Sequence, residues 1–295
     1  MATLSVFAAR FSGEEAAMRF AVDISPAGRW GVPVLLAELA ALAEDSGWDG
    51  VFCEDYLAFA DRLDTYDVWI TLGLMASATE RVTLASIVTP LAWRQPWTVA
   101  AQATTVDHIS RGRFVLGVGI GDNAAAEGSR FRAPMSDRER ASRVDEALDV
   151  IAALWSGEPV SRNGEFHLEQ AELLPRPVAR PRIPIWIGGA LTRPGPRARA
   201  LRWDGACLYR IPGGWEDVTA GDVRQLRSDA LNRAETANPF TIVVGGRGRQ
   251  ADLAAEVRHV RAIAKAGADW WHEYVPPSLS LQEARERIRR GPLSL

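Results

Sequence analysis

The sequence predicts an α/β fold in which eight β-strands alternate with eight helices and close into a (β/α)8, or TIM, barrel. Short apolar segments of strand length alternate with segments whose apolar residues recur at helical spacing, from Phe20 to Arg290. The strand segments are apolar at nearly every position, which is typical of parallel strands buried on both faces. The length of 295 residues accommodates such a barrel, which typically takes about 250 residues.

The first half of the barrel is predicted to consist of four strands and the helices between them. Pro33 and Pro96 mark helix starts, because a proline in the first turn loses no intrahelical hydrogen bond. Gly47 ends the first helix, where glycine is favoured. The predicted strands are 20–24, 50–53, 82–89 and 114–119, and the predicted helices begin at Pro33, Tyr66 and Pro96.

The second half begins with a long helix and an interruption of the repeat. Residues 136–139, Ser-Asp-Arg-Glu, match a capping box and predict a helix that runs through Trp155. Residues 157–184 are rich in Pro and Gly and contain a turn at Asn163-Gly164, so we expect an insertion of extended segments between the fourth helix and the fifth strand. The remaining predicted strands are 185–189, 205–209, 241–245 and 269–273, and the remaining helices are 196–202, 220–234, 250–266 and 281–290.

Composition restricts the class of protein. We expect one domain over residues 18–295, preceded by a disordered N-terminal extension, 1–17. The net charge of -3 offers no basic surface for nucleic acid, no apolar run reaches the roughly 20 residues that span a bilayer, and no signal peptide is evident. These features predict a cytoplasmic protein. Cys53 and Cys207 lie far apart without other ligands at metal-binding spacing, so neither a disulfide nor a metal site is expected.

Three alternating glycines, Gly117, Gly119 and Gly121, mark the end of the fourth strand. Successive side chains of a strand point to opposite faces, so one face of this segment is bare. Two interpretations follow: a flat ligand lies against the bare face, or the glycines only relieve crowding inside the barrel. TIM barrels carry their chemistry at the C-terminal ends of the strands. That rule selects residues 24–25, 54–56, 86–90, 121–122, 188–189, 210, 245–247 and 273–274.

Four segments carry a resemblance to a known family. They are ASIVTPLAWRQP (85–96), DHISRGRFVLGVGIG (107–121), RVDEALDVIAALWSGEPVSRNGEF (143–166) and LLPRPVARPRIPIWIGGA (173–190). In this order and spacing they resemble the bacterial luciferase-like family of flavin- and deazaflavin-dependent oxidoreductases, over residues 18–291. The resemblance implies a (β/α)8 barrel that binds FMN or coenzyme F420, a deazaflavin, at the C-terminal mouth.

The resemblance also implies which residues bind the cofactor. Gly188 and Gly189 precede a short helix, whose N-terminal N–H groups suit a phosphate. A non-proline cis peptide between Ser86 and Ile87 is implied beneath the flavin ring. Asp55 and the three glycines of the fourth strand complete the expected contacts.

Charged residues at the two ends of the barrel are given different roles. Arg193, Arg197 and Arg199 follow the glycine pair and are expected as charge partners of the phosphate. Asp107, Arg111 and Arg113 lie at the turn before the fourth strand, at the end of a barrel that contributes stability. We expect them to form an ion-paired structural turn.

Two residues are the candidates for proton transfer. Asp122 follows the glycine strand where related deazaflavin enzymes usually have Glu, and it could exchange a proton during hydride transfer; the alternative is a loop aspartate that caps the next turn. Tyr56 stands where family members often have His. A tyrosine can hydrogen-bond to a ring carbonyl, but it does not titrate near neutral pH. The departure leaves open both its proton role and the choice of cofactor.

The function that the resemblance implies is hydride transfer between coenzyme F420 and a small organic substrate. The alternatives are a monooxygenase that uses reduced FMN and oxygen, and, from another class, a flavin- or F420-binding protein without turnover. A hydrolase or aldolase is disfavoured, because there is no metal-ligand cluster and the single lysine, Lys265, lies in a predicted helix. The expected partner is a small-molecule substrate, with a homodimer as the assembly to consider.

Overall fold

The computed structural model describes residues 18–58, 62–121, 131–210, 218–233 and 238–295. The predicted extension, 1–17, lies outside them. The strands are Arg19–Ile24 (β1), Gly50–Cys53 (β2), Thr83–Pro90 (β3), Phe114–Gly119 (β4), Val160–Arg162 (β5), Leu168–Ala171 (β6), Ile185–Ala190 (β7), Gly205–Tyr209 (β8), Thr241–Arg247 (β9) and Trp270–Val275 (β10). The α-helices are Pro33–Asp45 (α1), Val68–Ala78 (α2), Pro96–Ser110 (α3), Asp137–Leu154 (α4), Pro194–Arg202 (α5), Ala220–Leu231 (α6), Leu253–Lys265 (α7) and Leu281–Arg289 (α8).

Eight of these strands close into a parallel barrel in the order β1, β10, β9, β8, β7, β4, β3, β2. This confirms the predicted (β/α)8 barrel. β5 and β6 form a separate antiparallel hairpin between α4 and β7, and the turn at Asn163-Gly164 joins them. None of the helices in the described ranges is long and apolar enough to cross a bilayer.

The capping box predicted at Ser136 starts α4. The Ser136 hydroxyl oxygen accepts a hydrogen bond from the Glu139 backbone N–H at 3.2 Å, and the Glu139 carboxylate accepts one from the Ser136 N–H at 2.7 Å. Two N–H groups that a helix start leaves without partners are thus bonded. The helix is thereby fixed beside the cavity described below, where its residues Asp137 and Asp145 bind arginines.

Side chains inside the barrel form a core of their own. Phe52, Trp186 and Trp270 pack with ring centroids 5.3 to 6.2 Å apart. The guanidinium group of Arg19 lies 4.1 Å from the Trp270 ring centroid. The next residue, Trp271, points outward and packs in the larger core between strands and helices. The inner aromatic cluster fills the lower part of the barrel. In the part of the chain that the structure describes, this leaves the C-terminal end of the barrel as the route by which a ligand enters.

The basic turn before β4 is held by backbone hydrogen bonds rather than by an ion pair. The Asp107 carboxylate accepts from the N–H groups of Val178 and Ala179 at 2.6 and 2.9 Å. The Arg113 guanidinium donates to the carbonyl oxygens of Thr79 at 2.7 Å and Val82 at 2.6 Å. Neither residue forms an ion pair within the turn among the described residues, so the predicted ion-paired turn of Asp107, Arg111 and Arg113 is wrong. A structural role fits both residues, since each ties the turn to another segment.

Candidate active site

A cavity of about 470 Å³ opens at the C-terminal ends of the barrel strands. This volume lies within the range of small-molecule sites in proteins. The strands β1, β2 and β10 give one wall of ionisable side chains, and β3, β4 and β7 give an opposite wall of apolar side chains and glycines. The arrangement separates an acid–base surface from an apolar surface across one space.

Asp23 and His272 form the floor of the ionisable wall. The Nδ1 atom of His272 lies 3.2 Å from Oδ2 of Asp23, and both residues are buried. Burial disfavours the charged form of each group: it raises the pKa of Asp23 well above its ordinary value and lowers the pKa of His272 to about 4. Near neutral pH the imidazole is therefore uncharged.

Glu54 lies above this floor, in contact with two hydroxyl groups. The Ser25 hydroxyl donates a hydrogen bond to Oε2 of Glu54, and the Tyr274 hydroxyl lies 3.3 Å from the same oxygen and donates to it. Burial, and then the nearby Asp23 carboxyl, raise the pKa of Glu54 to about 7. A carboxyl group with this pKa can both take up and release a proton near neutral pH.

The opposite wall depends on an irregularity in β3. The pairing of β3 with β4 shifts register between Ser86 and Thr89, and the peptide bond between Ile87 and Val88 is cis. The sequence-based prediction of a cis bond between Ser86 and Ile87 is thus wrong by one residue. Ile87 and Val88 both line the cavity.

The bare face of β4 is filled by β3. The carbonyl oxygen of Ser86 occupies the position that a Cβ of Gly117 would take, and a methyl carbon of Val88 lies 2.8 Å from the corresponding position at Gly119. Gly188 of β7 also faces Val88. Gly117 therefore relieves crowding, whereas Gly119 lines the cavity beside Val88. Ser86 and Gly117 lie behind it, where the Ser86 hydroxyl is 3.1 Å from the Gly117 carbonyl oxygen.

The rim of the cavity carries most of the other predicted residues. Gly121 lines it, in a left-handed conformation with φ 74° and packed against Trp93. Asp55 lines it and forms an ion pair with Arg94. Tyr56 lies at the edge, with 36% of its surface exposed. Asp122, the predicted acid–base residue, lies outside the described residues.

The predicted phosphate corner is only partly assembled. Gly188 and Gly189 line the cavity at the end of β7. The helix α5 that follows has prolines at positions 194 and 196, which carry no N–H, so few donors remain at its start. Two predicted arginines, Arg193 and Arg199, line the cavity but pair with Asp137 at 3.0 Å and Asp145 at 2.7 Å.

The third predicted arginine takes another position. Arg197 pairs with Asp229 on α6, and it does not line the cavity as its two neighbours do. Arg197 and Arg199 are two positions apart on the helix, so their side chains point to opposite sides of it, and Arg193 precedes the helix as its N-cap residue. A phosphate at this corner would depend chiefly on Arg193 and Arg199.

Sequence reasoning missed the floor residues Asp23 and His272. A weak signal exists in the strand period: Trp270, His272 and Tyr274 alternate along β10, so they share one face. Asp23 is likewise the one acid within an otherwise apolar first strand. Both residues precede the C-terminal strand ends at which functional residues of a TIM barrel are expected. A strand that is apolar at nearly every position also does not indicate which of its faces points into the barrel.

Comparisons with known proteins identify the family to which the chain belongs. The family model described as luciferase-like monooxygenase matches residues 31–201. The chain belongs to the luciferase-like monooxygenase family. An F420-dependent glucose-6-phosphate dehydrogenase from Nakamurella multipartita is 33% identical over 205 residues, which are 68% of this chain and 56% of that protein.

A second luciferase-like relative is an F420-dependent hydroxymycolic acid dehydrogenase from Mycobacterium tuberculosis. It is 30% identical over 241 residues, which are 79% of this chain and 61% of that protein. The chain thus spans less than two thirds of the length of either relative.

Solved structures agree with the luciferase-like fold. An F420-dependent secondary alcohol dehydrogenase in complex with an F420–acetone adduct aligns with a TM-score of 0.70 at 17% identity, covering 92% of this chain and 97% of that one. Monooxygenase RslO1 from Streptomyces bottropensis aligns with a TM-score of 0.72 at 20% identity, covering 92% and 97%. At these identities the likeness establishes the fold.

Proposed function

We propose that this luciferase-like protein is an oxidoreductase that moves a hydride between coenzyme F420 and a small organic alcohol or carbonyl compound. The relatives named as F420-dependent dehydrogenases support the cofactor and the reaction type. The observation that carries the proposal is Glu54, held by the Ser25 and Tyr274 hydroxyls, in the same cavity as the apolar wall of Val88.

The residues of the cavity fit a flat cofactor with a phosphate group. Val88 presents an apolar surface, and at Gly188 there is no room for a side chain beside it. Gly189 and Arg193 continue the same wall towards the rim. In the proposal, Val88 contacts the ring, while the backbone at Gly188 and Gly189 and the guanidinium groups of Arg193 and Arg199 bind the phosphate.

A bound deazaflavin supplies the redox chemistry, which is the acceptance or donation of a hydride. Glu54 accepts or donates the proton that accompanies the hydride. As a carboxylate it takes the proton from the substrate hydroxyl when an alcohol is oxidised to a carbonyl compound. As a carboxylic acid it returns that proton when the carbonyl compound is reduced. The hydroxyls of Ser25 and Tyr274 orient the carboxylate, since both bond to the same oxygen.

Two residues predicted from the sequence keep their roles as proposals. Tyr56 lies at the rim, where its hydroxyl could bond to a ring carbonyl. Asp122 is proposed as a further proton-exchanging group, to be compared with Glu54. The variants Asp122→Asn and Tyr56→Phe separate these roles from that of Glu54, because only the main proton acceptor should set the pH dependence of the rate.

The first experiment is a titration of the purified protein with F420, and separately with oxidised and reduced FMN, followed by tryptophan fluorescence. We expect micromolar binding of F420. The second is the oxidation of a panel of secondary alcohols, followed by the absorbance of oxidised F420. Glu54→Gln should lower the rate by about 10²-fold or more, while the exposed Glu158→Gln control should match the wild type.

Other results of these experiments would assign a different function to the protein. Binding of reduced FMN alone, with oxygen uptake in the presence of substrate, would make it a monooxygenase. Tight cofactor binding without turnover of any alcohol or carbonyl compound would favour a binding protein. No micromolar binding of either cofactor would refute the redox proposal.

A further inference from the structure

The floor of the cavity contains a carboxyl oxygen that lacks a hydrogen bond. Oδ1 of Asp23 is buried and has no hydrogen-bond partner among the described residues, although Asp23 lines the cavity. Only 6% of the side chain is exposed. A buried polar atom without a partner costs free energy, and such atoms in native proteins usually mark a site that a ligand, ion or water completes.

The chemistry of this oxygen selects hydrogen-bond donors. Oδ2, the other oxygen of Asp23, lies 3.2 Å from Nδ1 of His272, so a protonated Asp23 is expected to carry its proton on Oδ2. Oδ1 is then an acceptor whether the carboxyl group is ionised or protonated. A ligand group at this position has to offer an O–H or N–H.

The charges around the floor disfavour an anionic ligand. The titratable side chains that face Asp23 from the neighbouring strands are Glu54, His272 and Tyr274. The arginines that line the described cavity, Arg193 and Arg199, belong to the opposite wall and pair with aspartates of α4. A carboxylate or phosphate at Asp23 would therefore meet acceptor atoms and no cation among the described residues.

The charges also disfavour an ammonium group. Burial favours the neutral forms of Asp23 and His272, and it raises the pKa of Glu54. A cation brought to this floor would lose its hydration without a fully ionised partner in return. A neutral hydroxyl group is the donor that matches both the unbonded oxygen and the low charge.

We propose that Asp23 and His272 form a subsite for an uncharged hydroxyl group of the substrate, next to the hydroxyl that reacts at Glu54. The substrate class is thus a vicinal diol or polyol rather than a hydroxy acid, an amino alcohol or a simple alcohol. This inference rests on the proposed function, since it places the reacting hydroxyl at Glu54.

Four compounds that share one secondary alcohol test the subsite. Propane-1,2-diol, propan-2-ol, lactate and 1-aminopropan-2-ol differ only in the group beside the reacting carbon. With the F420-loaded protein, kcat/KM for the diol should exceed that for propan-2-ol by about tenfold, the value of one good hydrogen bond, and lactate should be the poorest. Fluorescence titration of the same four compounds should give the same order without turnover.

Equal values for the diol and propan-2-ol, or a preference for lactate or the amino alcohol in both assays, would overturn the subsite. If F420 binds and alcohols are oxidised in another order of preference, only the subsite fails. If F420 does not bind, the proposed function fails, and the order in the titration still decides whether the floor selects hydroxyl groups.

Variants of Asp23 localise the effect. In Asp23→Leu, the ratio of kcat/KM for the diol to that for propan-2-ol should fall about tenfold. Asp23→Asn should keep most of the ratio, because its amide oxygen can still accept a hydrogen bond at the position of Oδ1. Asp149→Asn, on the outer face of α4, is the matched control and should keep the wild-type ratio. A folded Asp23→Leu variant with an unchanged ratio would contradict the proposal. If neither variant folds, the wild-type titrations remain decisive.

Discussion

The methyl carbons of Val88 lie 2.9 and 3.0 Å from the position that a Cβ of Gly188 would take. Real Cβ atoms do not tolerate the shorter of these distances, so a side chain at residue 188 has to displace Val88. Because Val88 lines the cavity, its displacement would change the shape of the cavity wall. The irregular strand β3 and the glycines of β4 and β7 therefore act as one wall.

Gly188→Ala is expected to weaken cofactor binding more than it weakens the fold. The added methyl group pushes Val88 towards the cavity, and the dissociation constant for F420 should rise by about tenfold or more. Fluorescence titration measures the constant, and thermal unfolding measures stability.

Variants of two other glycines provide comparisons for Gly188→Ala. Gly195→Ala is the control, because nothing lies within 4 Å of its added Cβ, and it should bind F420 like the wild type. Gly117→Ala should fail to fold, since its Cβ would collide with the backbone carbonyl of Ser86. Unchanged F420 binding by Gly188→Ala would show that the wall does not contact the cofactor.

The rate of alcohol oxidation should depend on the ionisation of Glu54. Its carboxylate form is the proton acceptor, and its pKa is raised to about 7. The value of kcat/KM should therefore rise with pH up to about 7 and then level off, whereas reduction of the carbonyl compound should slow above that pH. In Glu54→Gln the rising limb should vanish, and a limb that persists would assign the proton to another group such as Asp122.

His272 should remain a neutral imidazole throughout the physiological range. Burial lowers its pKa to about 4, so its ring nitrogen resonances in an NMR titration should keep the values of a neutral imidazole between pH 8 and pH 5, apart from small changes as the neighbouring Glu54 titrates. The His272→Asn variant identifies the resonances by their loss. A full change to the resonance positions of an imidazolium, with a midpoint near the ordinary histidine value of about 6.5, would mean that the floor is more hydrated than its burial indicates.

Arg113→Ala should destabilise the barrel without changing its chemistry. The guanidinium group donates hydrogen bonds to the carbonyl oxygens of Ala76, Thr79, Val82 and Ser110. We expect the free energy of unfolding to fall by about 2–4 kcal/mol, measured by denaturant titration. Binding of F420 to the folded fraction should be unchanged, because Arg113 lies at the opposite end of β4; a weakened affinity would contradict this assignment.

Much of the barrel could be predicted because its signals are local. The strands β2 and β4 have the predicted boundaries, since turns and helix ends flank short apolar runs on both sides. The helix start at Ser136 was predicted from a capping box that needs only four neighbouring residues. Such features depend on the near sequence, and the fold class follows from their repetition.

The site was less predictable because it depends on pairing between distant residues. The space at Gly117 is filled by Ser86, which lies 31 positions earlier in the chain, so the sequence alone left two interpretations of the glycines open. Asp23 and His272 come together only through the pairing of the first and last barrel strands. The counter-ions of Arg193 and Arg197 likewise come from helices that are remote in sequence.

The aromatic cluster of Phe52, Trp186 and Trp270 has a kinetic consequence. It closes the barrel below His272, so a molecule bound at the floor enters and leaves through the same opening as everything bound above it. In a cavity with a single opening, a two-substrate reaction has a compulsory order of binding wherever one ligand covers the other, and the covered ligand binds first and leaves last. Product inhibition patterns should identify which ligand that is.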